Sequence, residues 1–149
     1  MIFVERTNPH EPQVIDLLQS SHALMQVLFP PEHNNYLSLD ELSTKNVNFF
    51  AARYGSVFCG TGALAVKEGY GEIKSMFVDP NYRGRGVADA ILKCLENLAH
   101  ERCLPEIKLE TGNTLHAAIK LYERNSFQLC GPFGDYTRNS SSIFMKKVL

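Results

Sequence analysis

VDPNYRGRGVADAIL, Val78 to Leu92, passes from an apolar strand end, through a turn of two arginines and two glycines, into an apolar helix. A helix opens with four backbone N–H groups that have no partner inside it, and its aligned peptide dipoles place about half a positive charge there. Gly84 and Gly86 carry no β-carbon to shield the amides of Arg85, Val87 and Ala88. Arg83 and Arg85 add cationic forks suited to phosphate oxygens. The turn reads as a cradle for a diphosphate.

Rival readings of the turn fail on spacing. A nucleotide-triphosphate loop needs G-x-x-x-x-G-K-[ST], and neither the lysine nor the hydroxyl is present. A dinucleotide fingerprint needs a third glycine where this chain has Asp89, and no early βαβ unit precedes it. A purely structural turn with solvated arginines is consistent with the turn alone. The surrounding sequence decides against it.

Outward from the turn, GEIKSMFVD (Gly71–Asp79) reads as the strand that feeds it. Val87, Ile91, Leu92, Leu95, Leu98 and Ala99 lie on one stripe of a helix ending before Pro105. Further upstream, Ile2 to Arg6 reads as a strand. Val14, Leu17, Leu18, Ser21, Met25 and Leu28 follow with helical spacing, with Pro12 in the first turn. Phe29 to Tyr36 carries two prolines and two asparagines and predicts a loop before a short helix near Leu39–Leu42. NVNFFAAR and SVFCGTGALAVKE, parted by Tyr54-Gly55, predict a hairpin, and a breaker at Gly69–Gly71 leads to the third strand of a meander. Glu106–Glu110 predicts a strand, Thr114–Arg124 a helix, and Phe127–Cys130 and Ser142–Val148 two last strands. A strand, helix, strand passage from Ile73 to Glu110 makes one pair parallel by a right-handed crossover, while the hairpins keep the rest antiparallel.

Length and composition bound what this organisation can do. The 149 residues, 44% hydrophobic and 21% charged, predict one domain with one core over residues 1–149. A net charge of −1 supplies no field for nucleic acid or an anionic membrane. Cys59, Cys94, Cys103 and Cys130 show no C-x-x-C pair, and reduced thiols are expected. His10, His22, His33, His100 and His116 never reach metal-ligand spacing, so no metal is expected. No apolar run approaches the roughly 20 residues that cross a bilayer, and MIFVERTNP does not read as a leader. The expected location is the cytoplasm.

Arg83-Gly84-Arg85-Gly86-Val87-Ala88 resembles the [QR]-x-x-G-x-[GA] acetyl-CoA signature of the GNAT N-acetyltransferase family. Its placement between Met76-Phe77-Val78-Asp79-Pro80 and the long helix is similar to that family, and AIKLYERNSF (Ala118–Phe127) resembles its A-x-x-L-Y-x-x-x-G-F segment. The order of elements agrees over nearly the whole chain. GEIKSMFV, LETG and the PFGDY and FMKK segments look like a group of small proteins that acetylate small amines or amino-acid-like compounds. The resemblance implies an α/β (mixed α+β) fold: a central, mostly antiparallel sheet of six to seven strands flanked by about four helices, with acetyl-CoA in a splayed parallel strand pair. It is compatible with a homodimer. Two positions depart from the pattern. Leu115 replaces an asparagine that often bonds the pantetheine arm, with Asn113 close by, and Ser126 replaces the glycine before the phenylalanine.

The same resemblance assigns roles. The pantetheine arm lies against Met76-Phe77-Val78, where one backbone amide polarises the thioester carbonyl. The amides from Gly84 to Asp89, including those of Val87 and Ala88, hold the pyrophosphate, with Arg83 and Arg85 beside them. Tyr122, on the family's L-Y position, faces the sulfur as general acid, although periodicity alone makes it one more ring on the stripe of Leu115, Ala118 and Ile119.

Acetyl transfer to an amine also needs a base, because an alkylammonium is almost wholly protonated at neutral pH. Glu72 and Glu110 are the carboxylates nearest the expected cleft. Either acts through a water or anchors a cationic substrate; Glu72 is favoured as base and Glu110 as a substrate or structural contact. Cys59 and Cys130 have no neighbouring histidine to activate them, which favours direct transfer over a covalent intermediate. The acceptor pocket is expected from the Phe29–Tyr36 loop, the Phe133–Tyr136 loop and the first meander strands, with Asn34, Tyr36 and Tyr136 as contacts. The expected activity is N-acetylation of a small-molecule amine. The alternatives are a sensor that holds acetyl-CoA without turnover and a protein N-acetyltransferase.

Overall fold

The computed structural model describes residues 1–149. Seven strands form one sheet: β1 (Ile2–Arg6), β2 (Val47–Tyr54), β3 (Val57–Lys67), β4 (Tyr70–Val78), β5 (Glu106–Gly112), β6 (Gln128–Cys130) and β7 (Ser142–Val148), in the order β1-β2-β3-β4-β5-β7-β6. Only β4 and β5 run parallel, joined by the crossover helix; every other neighbour is antiparallel. The helices are α1 (Pro12–Leu28), α2 (Leu39–Leu42), α3 (Val87–Glu101) and α4 (His116–Arg124). This is the mixed sheet with four helices that the sequence predicts.

Period-two alternation divides the apolar residues between the two faces of the sheet. Phe50, Ala52 and Leu64 point to one face, where Ile91, Leu92 and Leu95 of α3 and Leu121 and Tyr122 of α4 complete a core. Phe49, Ala51 and Ala63 point to the other, against Val14 and Leu18 of α1 and Leu42 of α2. Burying a side chain of this size contributes about 1.5–3 kcal/mol. Both helical layers therefore hold the sheet from outside.

The sheet is interrupted at one place that matters for function. Thr61 pairs with Phe77 and Ala63 with Lys74, so Ser75 and Met76 together oppose Gly62 and β4 bulges. Ser75 takes φ 58°, a left-handed conformation that costs a residue with a side chain about 1–2 kcal/mol. A β-carbon on Gly62 would come within 2.4 Å of Ile91 and 2.8 Å of the Met76 sulfur. Only glycine lets α3 and the bulge close on that point.

Several boundaries differ from the sequence expectation. Gly71 lies inside β4, because the turn is completed by Glu68 and Gly69, with φ 85° at Gly69. β5 continues beyond Glu110 to Gly112, since β7 pairs with it as far as Gly112–Ser142. α4 starts at His116 instead of Thr114: the Asn113 amide donates to Ser141 O and its side-chain amide to Ser140 O, which holds that stretch in a turn. Phe127 closes α4 and precedes β6, its N–H donating to Tyr122 O after Ser126 turns left-handed at φ 72°. Leu28 ends the α1 stripe 41% exposed, so the stripe is buried only over Val14, Leu17 and Leu18.

Candidate active site

Gly86 caps α3 at φ 82°, with open space where a β-carbon would stand. Glycine is needed there for backbone conformation, and the same space gives a ligand its approach. No backbone N–H from Gly84 to Asp89 donates to the protein; Ala90, bonded to Gly86 O, is the first that does. A positively polarised row of free amides with a glycine-lined approach fits a diphosphate. Val87 turns its side chain into the core while its amide stays in the row, and Ala88 is partly buried beside it. Arg83 reaches back to Val78 O at 3.4 Å. The Arg85 guanidinium lies over the rings of Tyr82 (5.3 Å) and Tyr54 (5.5 Å), which fix its plane beside the turn.

From this cradle β4 runs back toward the bulge, and there the parallel pair comes apart. The β4–β5 ladder holds Gly71–Ile107, Glu72–Lys108 and Ile73–Leu109 and then stops, although β4 continues to Val78 and β5 to Gly112. Phe77 and Val78 thus keep their pairing on the β3 side, Met76 sits in the bulge, and none of the three pairs with β5. An extended arm can pair with that edge as a strand would. The free amides and the open edge together fit the two ends of coenzyme A, a diphosphate joined to an amide-bearing arm.

The gap also joins the two faces of the sheet. Tyr122 belongs to the α3–α4 face and Glu110 is on β5, yet both line one cavity with Ser75, Met76, Leu115 and Ala118. The cavity encloses about 130 Å³. Pockets that bury a whole drug-sized ligand start near roughly 300 Å³, so this space suits the reacting ends of two molecules. Tyr122 is 4% exposed and packs edge-on against Phe127 at 5.5 Å. Burial alone drives its phenol well above the usual range, so it stays protonated. Glu110 accepts from Ser142 Oγ at 2.7 Å, and Asn139 Nδ2 donates to that hydroxyl at 3.0 Å. Burial pushes the Glu110 carboxyl above its ordinary value, against the Ser142 hydrogen bond and the charge of Lys74. Ser75 Oγ is buried beside them without a hydrogen-bond partner.

Glu72 does not line the cavity that holds Tyr122. It lines a neighbouring cleft formed by β2, β3 and the Gly134–Tyr136 segment, while Glu110 shares the cavity with Tyr122. Glu72, 5% exposed, accepts from Tyr136 Oη at 2.5 Å and lies 3.6 Å from Lys74 Nζ. Lys74 also donates to Tyr136 Oη and Asn35 O, each at 2.8 Å, and so pins both loops onto β4. The expected acceptor pocket is therefore divided into a cavity and a cleft, with Asn35, Tyr36 and Lys74 on the wall they share. Asn34 lines the cavity; Tyr36 stacks on His22 at 3.9 Å and accepts from Gln26 at 3.0 Å. Sequence reasoning misses Lys74, Ser75 and the His33–Ser141 hydrogen bond (2.7 Å) at the cavity wall. None has a motif, and each is recruited by the bulge or by a loop contact distant in sequence.

A helix start with free amides, an open strand edge and a buried phenol fit an acyl-carrier-dependent transferase. Residues 13–127 match the Acetyltransferase (GNAT) family, and the chain belongs to that family; it is an acyltransferase that uses acetyl-CoA. Among its relatives, an IAA acetyltransferase of Azospirillum brasilense is 34% identical over 99% of this chain and 98% of its own. The uncharacterised N-acetyltransferase YsnE of Bacillus subtilis is 36% identical over 92% of this chain and 93% of its own. Among solved structures, a Klebsiella pneumoniae protein assigned as an acyl-CoA N-acyltransferase superposes with TM-score 0.84 at 31% identity, covering 100% of this chain and 98% of that one. The PaiA N-acetyltransferase of Thermoplasma acidophilum, crystallised with coenzyme A, shares the fold at TM-score 0.80 and 15% identity, over 100% and 99% of the two chains. No helix is long and apolar enough to cross a membrane.

Proposed function

We propose that this acetyltransferase moves the acetyl group directly to the amine of a small-molecule or amino-acid-like acceptor. The observation that carries this reading is the meeting of Glu110 and Tyr122 in one cavity across the split sheet. Acetyl-CoA supplies the acetyl group as a thioester when bound. The amides between Gly84 and Asp89 bind its diphosphate, and the β4 edge at Met76–Val78 orients its arm and offers an N–H to the carbonyl oxygen. Glu110 takes a proton from the acceptor ammonium, its raised pKa making it a stronger base than an ordinary carboxylate. Tyr122 holds a proton at its phenol oxygen for the leaving sulfur. Glu72, ion-paired and hydrogen-bonded, serves the acceptor site as a fixed anchor with Lys74 and Tyr136.

Charge and size support the acceptor class. Glu41, Glu72, Glu110 and Asp135 outnumber Lys67 and Lys74 by two negative charges in the linings of the cavity and the cleft, which favours a cationic amine. The cavity volume of about 130 Å³ favours a slender amine over a folded protein surface. The name of the Azospirillum relative, IAA acetyltransferase, agrees with a small compound as acceptor. The test is thioester loss from acetyl-CoA with a panel of small amines, amino acids and amine-terminated peptides. Turnover of small amines supports the reading; transfer only to peptides, or none with tight coenzyme binding, overturns it.

A further inference from the structure

An acid stands in the first turn of the helix whose free amides form the cradle. Asp89 is in the first turn of α3, among the free amides, and helical side chains lean toward the N-terminus. A carboxylate there favours the helix dipole but repels a bound diphosphate. Arg124 Nη2, at the end of α4, meets Asp89 Oδ2 at 2.7 Å, and Asn125 Nδ2 lies 3.3 Å from the other oxygen. The Arg124 hydrogen bond leads the effects that hold the Asp89 carboxyl below its usual range, so it is ionised at neutral pH.

We propose that Arg124 is a charge mask for Asp89, allowing the α3 amides to accept a polyanion that the bare carboxylate would reject. This rests on coenzyme A occupying the α3 cradle. The pair also ties α3 to α4, so the element that bears Tyr122 is held to the element that bears the cradle. Arg124 is thereby a positioning residue for binding, acting through Asp89.

A thermodynamic cycle tests it. Coenzyme A binding is measured by calorimetry on wild type, Arg124→Met, Asp89→Asn and the double variant, at low and moderate salt. Both side chains are about half exposed, and circular dichroism confirms that each variant is folded. Arg124→Met is expected to weaken binding about 10-fold or more at low ionic strength, with the gap narrowing as salt screens the unmasked carboxylate. Asp89→Asn alone is expected to bind more tightly than wild type, and the double variant to return to within about three-fold of wild type. A double variant as weak as Arg124→Met overturns the mask, because Arg124 would then contact the ligand or support the fold directly. Weaker binding by Asp89→Asn overturns it too. The cradle is checked separately by Gly86→Glu: coenzyme A binding as tight as wild type would remove the cradle reading and the mask with it.

Discussion

Thr61 donates its fully buried hydroxyl to the carbonyl of Ser75 at 2.7 Å, across the point where β4 carries one residue more than β3. This bond holds the left-handed turn at Ser75, two residues after the last β4–β5 pair at Ile73–Leu109. Replacing Thr61 by Val keeps the shape and deletes the donor. The expected loss is about 1–2 kcal/mol in urea denaturation, with weaker coenzyme A binding in calorimetry. Unchanged binding would mean that the split does not depend on this bond.

The cradle depends on Gly86. At φ 82° any β-carbon is strained by about 1–2 kcal/mol, and a longer acidic chain also fills the approach. Gly86→Ala is expected to weaken coenzyme A binding measurably and Gly86→Glu to abolish it, with the fold retained by circular dichroism.

Tyr122→Phe removes one oxygen from a ring otherwise held by packing against Phe127. Coenzyme A binding should survive, while kcat falls about 10-fold or more. Equal turnover in the two proteins would remove the acid role.

As the proposed base, Glu110 would link activity to pH and to stability. Its folded pKa lies above the ordinary carboxyl value, so the folded state resists its ionisation more than the unfolded chain does. The sign follows: above the unfolded pKa the ionised group costs the native state stability, and the cost disappears as pH falls below that value. Glu110→Gln should therefore melt higher than wild type at neutral pH while losing turnover. In wild type, kcat/KM should fall with decreasing pH through a pKa above the usual carboxylate range, and that limb should vanish in Glu110→Gln. A retained acid limb would assign it to another group.

Lys74 pairs with Glu72, bonds both loops, and its charge acts on Glu110. Lys74→Met leaves Glu72 buried without its counter-ion and is expected to cost about 3–5 kcal/mol in chemical denaturation. The double variant with Glu72→Gln should recover most of that loss; no recovery would show that the pair is not coupled.

What the chain reveals on reading follows the range of the forces involved. The α3 stripe and the Gly84–Gly86 turn are local, set by side chains within one or two helical turns, and their role in the fold is legible at once. The parallel pairing of β4 and β5 follows from the crossover rule. The bulge at Ser75 is not legible, because it is stabilised by Thr61, 14 residues away, and by a glycine that makes room for α3. Glu72 and Glu110 look alike as strand acids. Only the fold distinguishes them, lining the Tyr122 cavity with Glu110 and leaving Glu72 with Lys74 and Tyr136.

The most direct measurement is a crystal structure with coenzyme A bound. The account predicts the diphosphate on the amides between Gly84 and Asp89, the arm paired with β4 at Met76–Val78, and the sulfur within hydrogen-bonding reach of the Tyr122 hydroxyl on the path toward Glu110. A coenzyme seated away from the β4–β5 gap, or a sulfur out of reach of Tyr122, would contradict it.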